Sequence, residues 1–191
     1  MKVLCFGDSN TYGFDPRSYY GSQYGPQDRW VDLLGKTLGC SVINAGENGR
    51  EIPRRGTELQ RFSLMMTNQK PDLLLIMLGG NDLLQGNTVE AVVMRMTYFL
   101  KQINLESSKI LLIGPPPFQL GQWVPTEELA AASVELNATY QALAERMGVS
   151  FVDSGAWNLP MAFDGAHLTE QGHRRFAEQL SAYISSAGFM A

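Results

Sequence analysis

Apolar residues recur along this chain with two different periods. Residues 2–6 form a short apolar run that stops at Gly7-Asp8-Ser9, which predicts a strand entering a turn. Residues 72–78 (DLLLIML) are apolar almost throughout, as in a strand covered on both faces. Shorter strand-like runs occupy 41–45, 109–114 and 150–153, and Pro115-Pro116-Pro117 stops the second of them. Between the strands the period lengthens. Residues 29–38 place Trp30, Leu33, Leu34 and Leu38 on one helical face, with Gly39 set to end the helix. Residues 88–103 repeat Val89, Val92, Val93, Met96, Phe99, Leu100 and Ile103 at helical spacing. A long helix is expected over 126–147, capped by Thr126 with Glu127 and Glu128 at its positive end, and a last one over 169–185, capped by Thr169. The methionines at 65, 66, 94 and 96 follow helical faces and are expected in the core.

Alternating strands and helices imply βαβ units, hence an α/β fold: a five-stranded parallel sheet with helices on both faces. No repeat or linker interrupts the pattern, so residues 1–191 are read as a single domain. Such sheets bind ligands beyond the carboxyl ends of their strands. Four polar clusters lie there: Gly7-Asp8-Ser9-Asn10, the segment Asn44 to Arg50, Gly79-Gly80-Asn81-Asp82, and Asp164-Gly165-Ala166-His167. In a doubly wound sheet all four can meet in one cleft.

Composition narrows the function. Apolar residues make up 45% and charged residues 18%, a folded profile, and the net charge of −4 with no basic patch argues against nucleic acid. No apolar run approaches the roughly 18 residues of a membrane span. The first apolar run is too short for a signal peptide, which makes a cytoplasmic location the expectation. Two cysteines, Cys5 and Cys40, suffice for neither a disulfide framework nor a metal cluster and are read as free thiols. No cofactor is implied.

Acyl transfer requires an activated nucleophile, an oriented base and donors for a tetrahedral oxyanion. Ser9 offers a hydroxyl at a strand-to-helix turn, with its N–H at the helix start. Gly46 lets backbone approach a ligand closely, and Asn81 supplies an amide donor. His167 can take the Ser9 proton, and Asp164 can orient the imidazole.

Taken together, Gly7-Asp8-Ser9, Gly46, Gly79-Gly80-Asn81-Asp82 and Asp164-Gly165-Ala166-His167 resemble the four sequence blocks of the GDSL/SGNH hydrolases, in order and in rough spacing. That resemblance implies a flavodoxin-like three-layer α/β/α sandwich without a metal. It makes Ser9, Asp164 and His167 the catalytic triad and assigns the oxyanion hole to Ser9, Gly46 and Asn81. The stretches 5–11 and 76–82 are most similar to the arylesterase/acyltransferase branch. The implied substrate is a small-molecule carboxylic ester, a short acyl ester or an acetylated sugar. A thioesterase or lysophospholipase of the same fold is the alternative, followed by a non-catalytic flavodoxin-like binding module. Asn10 stands where the name-giving motif has Leu.

Other residues carry weaker signals. Asn10, Tyr12, Phe118 and Ala166 are candidate substrate contacts, and Trp123 a further pocket wall. Asp8, Asp82 and Arg50 are read as structural, and His173 as a surface residue of the last helix. The aromatic-rich stretch 12–30 is either a roof over the pocket or a self-packed loop, and it is the expected contact surface if the chain forms a homo-oligomer.

Overall fold

The computed structural model describes residues 1–18, 20–106 and 109–189, which leaves Tyr19 of the aromatic stretch outside the described residues. Five parallel strands form one sheet: β1 (Lys2–Gly7), β2 (Ser41–Gly46), β3 (Leu73–Met77), β4 (Ile110–Gly114) and β5 (Ser150–Asp153). Their order is β2-β1-β3-β4-β5. The helices are α1 (Ser9–Tyr12), α2 (Trp30–Leu38), α3 (Gly56–Gln69), α4 (Gly80–Leu84), α5 (Val89–Lys101), α6 (Glu127–Met147) and α7 (Glu170–Ser186).

Each central strand divides its side chains between two cores, because successive residues point to opposite faces. Val3, Cys5, Leu73, Leu75, Met77, Leu111 and Ile113 pack with Trp30 and Leu34 of α2 and with Phe176, Leu180 and Ile184 of α7. Leu4, Phe6, Leu74, Ile76 and Leu112 face the other way, toward Phe62 of α3, Phe99 of α5 and Leu136 and Tyr140 of α6. The continuous apolar reading of β3 is therefore correct, with all five residues buried.

The caps explain why most helices were legible. Thr88, Thr126 and Thr169 each accept a hydrogen bond from a backbone N–H in the first turn of α5, α6 and α7, and Gly39 ends α2 in the left-handed conformation. The methionines at 65 and 66 keep helical spacing within α3, but no capping residue marks where it starts. It lacks a Ser, Thr, Asp or Asn cap; the Glu58 carboxylate reaches back instead to the N–H groups of Arg54 and Arg55. Only Phe62 of α3 is buried, while Leu64 is exposed. Met94 is also a correction: it points outward from α5 and is 67% exposed, whereas Met96 is fully buried. Cys5 and Cys40 are free thiols, one buried and one half-buried. Among the described residues, no helix is long and apolar enough to cross a membrane.

The two-core arrangement is checked by urea unfolding. Leu112→Ala, at a site closed on all sides, is expected to cost about 2–5 kcal/mol. Leu64→Ala, on the exposed face of α3, should stay within about 0.5 kcal/mol of the parent.

Candidate active site

Ser9 begins α1 directly after β1, and the Asp8 carboxylate caps this short helix by accepting from the Asn10 N–H at 2.9 Å. The chain arriving at the other side of the cleft folds into a tight turn. Its Asp164 Oδ1 accepts from the backbone N–H groups of Ala166 and His167, both at 3.0 Å. Asp164 Oδ2 lies 2.7 Å from His167 Nδ1, and His167 Nε2 lies 2.9 Å from Ser9 Oγ. A carboxylate only accepts, so Nδ1 carries the proton and the Nε2 lone pair faces the serine hydroxyl. Ser9, His167 and Asp164 are all buried.

Burial works against the Asp164 carboxylate. The hydrogen bond from the His167 ring and the two backbone donors outweigh it and hold its pKa below the ordinary value. Asp8 goes the other way: desolvation dominates and raises it to about 6, despite the Asn10 N–H and the electrostatic influence of His167 and Arg50.

The turn bearing Asp164 is held from outside as well. Gln119 N–H donates to Gly165 O and Trp123 N–H to Asp164 O, each at 2.9 Å. Ser133 of α6 in turn accepts from Phe118 N–H at 2.8 Å. Phe14 and Trp123 flank the imidazole, with ring centroids 4.7 and 4.9 Å from it. Trp123 is 47% exposed, so these rings form an apolar wall that opens to solvent. The stretch 12–30 divides its roles. It closes on itself through a Phe14–Gln23 bridge and buries Tyr24 against His173, while Phe14 reaches the imidazole.

Asn81 stands at the opposite side, its Nδ2 donating to Arg50 O at 3.1 Å. Asp82 is buried and ties the same segment down by accepting from Ile52 N–H at 3.0 Å and from Arg95 at 2.7 Å. Arg50 donates to the carbonyls of Gly7 and Ala45, pairs with Glu47 and lies over the Phe6 ring. The structural readings of Asp8, Asp82 and Arg50 thus agree with their contacts.

Two sequence expectations need correction. The Gly46 N–H is spent on Asn44 Oδ1 at 2.9 Å, and a Cβ at this glycine would sit 2.1 Å from Tyr12 N. Gly46 is small because β2 passes close beneath α1, not because a ligand approaches it. Gly49, three residues on, has φ 72 and open space around it, and no hydrogen bond among the described residues engages its N–H. His173 is not at the surface: it is 0% exposed, neither ring nitrogen has a partner, and burial lowers its pKa to about 3. Asn10, Phe118 and Ala166 are buried: Asn10 bonds to the backbone on either side of His167, and Phe118 lies under Gly80. Tyr12 is half-buried, with its carbonyl taken by Gln23. A groove of ≈ 580 Å³ between β2 and α3 lies behind the 46–50 segment and includes neither Ser9 nor His167. Among the described residues no group of three His, Cys, Asp or Glu is arranged to hold a metal ion.

The profile of the GDSL-like lipase/acylhydrolase family matches residues 5–175. The chain belongs to this family. Its sequence is 32% identical to esterase TesA of Pseudomonas aeruginosa over 97 residues, 47% of each protein, so the match spans about half the length of that relative. Its fold is similar over nearly full length to two solved structures. The aryl esterase of M. smegmatis superposes with a TM-score of 0.83 at 28% identity, covering 97% of this chain and 99% of that one. A carbohydrate acetylesterase from Sinorhizobium meliloti gives 0.80 at 25% identity, covering 97% and 98%.

Two measurements check these local readings. Gly46→Ala should lower the melting temperature strongly, since its methyl group collides with backbone; unchanged stability would undo the close-packing account. His173 stays neutral in the folded chain down to about pH 3 but takes a proton near pH 6.5 when unfolded. Its contribution is therefore intact above pH 6.5 and lost as pH falls toward 3. His173→Phe should flatten the stability profile by about 3 kcal/mol between pH 7 and pH 4. Parallel profiles for the two proteins would contradict the assignment.

Proposed function

We propose that this protein is a serine hydrolase that cleaves carboxylic esters through an acyl-enzyme on Ser9. The observation that carries the reading is the unbroken hydrogen-bonded chain from Ser9 Oγ through His167 to Asp164. Ser9 attacks the ester carbonyl while His167 Nε2 removes its proton, and Asp164 stabilises the imidazolium that results. His167 then returns the proton to the leaving alcohol. Water, deprotonated by the same nitrogen, releases the acid and restores Ser9.

The oxyanion formed at each step needs donors. We assign the Ser9 N–H, at the start of α1, and the Asn81 side-chain amide to it. Gly49 replaces Gly46 as the third donor, because its N–H is uncommitted and the Arg50–Asn81 hydrogen bond brings its neighbour to the amide. Losing one such donor typically costs ~10²–10³ in turnover. Asn81→Ala is expected in that range with the fold intact, and turnover equal to wild type would sink the assignment.

The substrate we assign is a short acyl ester of an aromatic alcohol or a sugar. The flat rings of Phe14 and Trp123 beside His167 suit stacking against either, and ring stacking adds about 0.5–1.5 kcal/mol beyond burial. The aryl esterase and acetylesterase folds named above support that choice by analogy. The deciding experiment is hydrolysis of p-nitrophenyl esters from acetyl to decanoyl, with Ser9→Ala as control. Rates falling with chain length and abolished in the variant are the expected result. Hydrolysis that survives Ser9→Ala, or none by the wild type, would end this reading.

A further inference from the structure

Resting on the proposed chemistry of Ser9, a second question is what sets the 2.9 Å contact between Ser9 Oγ and His167 Nε2. The two residues are 158 positions apart in sequence. Asp164 cannot set it alone. The hydrogen bonds of its carboxylate run to Ala166 N–H, His167 N–H and His167 Nδ1, all within the same turn. They orient the imidazole relative to its own loop, not relative to the nucleophile.

Asn10 supplies the missing tie. Its Nδ2 donates to Ala166 O at 2.9 Å, and its Oδ1 accepts from Leu168 N–H at 2.9 Å. Ala166 and Leu168 are the residues on either side of His167, so one side-chain amide grips the backbone before and after the base. The backbone of Asn10 is fixed too: its N–H goes to Asp8 Oδ1 at 2.9 Å and its carbonyl accepts from Trp30 Nε1 at 2.8 Å. Among the described residues, these two bonds and the Ser9–His167 contact itself are the side-chain hydrogen bonds between α1 and residues 162–169.

We infer that Asn10 is a positioning residue, a two-pronged clamp that holds His167 at proton-transfer distance from Ser9. Leucine, the residue of the name-giving motif, has neither the donor nor the acceptor for this grip. The clamp acts on reactivity rather than on substrate affinity, since both ends of the Asn10 amide are turned to the backbone on either side of His167.

The test compares wild type with Asn10→Leu and Asn10→Asp at pH 8. Asn10→Asp keeps size and the acceptor for Leu168 but loses the donor to Ala166. The readouts are the second-order rate of Ser9 labelling by a fluorophosphonate, and kcat and KM on p-nitrophenyl acetate. Both variants should label and turn over about 10- to 100-fold more slowly, the scale of a small misplacement of reacting groups. KM should stay within about threefold, as for an interaction that is not used in binding. A downfield Nδ1 proton resonance of His167 is expected in wild type and in both variants alike, because its bond to Asp164 is internal to the turn. A folded Asp variant that labels within about twofold of wild type would overturn the clamp. Should either variant fail to fold, hydrogen exchange on the wild type decides: the Leu168 amide must exchange as slowly as the β3 amides, and fast exchange overturns the proposal. Wild type that neither labels nor turns over is a separate result, which removes the hydrolase reading and the clamp with it.

Discussion

Val3, Leu4, Cys5 and Phe6 are almost inaccessible to water, and this two-sided burial of β1 is the constraint on which the rest of the molecule depends. A strand covered on both faces must lie inside the sheet, with a neighbour on each edge. Here the neighbours are β2 on one side and β3 on the other, so the chain winds one way from β1 to β2 and then crosses over to β3. The reversal leaves a crevice beyond the carboxyl ends of these strands. Ser9, the 46–50 segment and Asn81 come off those three strand ends, and His167 arrives from the far side of the sheet.

The loops that line the crevice are bound to one another. Asp82 and Asn81 hold the segment between Arg50 and Ile52, and Arg95 of α5 neutralises the buried Asp82. The 118–124 segment holds the turn that carries Asp164. This bracing matters because a buried polar group left without partners costs about 1–3 kcal/mol. It also allows two carboxylates of the same kind to differ. Asp164, with three donors, is held below its ordinary pKa, while Asp8, dominated by desolvation, is raised to about 6. Asp164 thus stays ionised beside the imidazole. Asp8 serves mainly as the cap that fixes the entry of α1.

How much of this was legible follows from the range of each interaction. Strands β3 and β5 and the caps of α5, α6 and α7 are local features, written in adjacent residues, and their limits agree with the pattern to within a residue or two. The start of α3 was not legible, since a glutamate reaching back replaces the usual capping residue. His173 read as a surface residue beside Arg174 and Arg175, yet the 12–30 stretch folds back and buries it under Tyr24. Gly46 read as a ligand-facing glycine, yet the approach it permits is that of Tyr12 backbone. In both cases the deciding neighbour lies far away in the chain, and periodicity carries no information about it.

The four polar clusters at the ends of strands, and the residue types within them, were determined by sequence alone. A hydroxyl, a carboxamide, a carboxylate and an imidazole in that order already restrict the chemistry. Which of their atoms face one another was decided only when the sheet closed. The Ser9–His167 contact joins residues 158 apart, and the Asn10 clamp that accompanies it spans the same gap. Local sequence sets side-chain chemistry and backbone preference over a few residues. Distances of 2.9 Å across the whole chain arise from packing two cores onto one sheet, and only the folded molecule contains them.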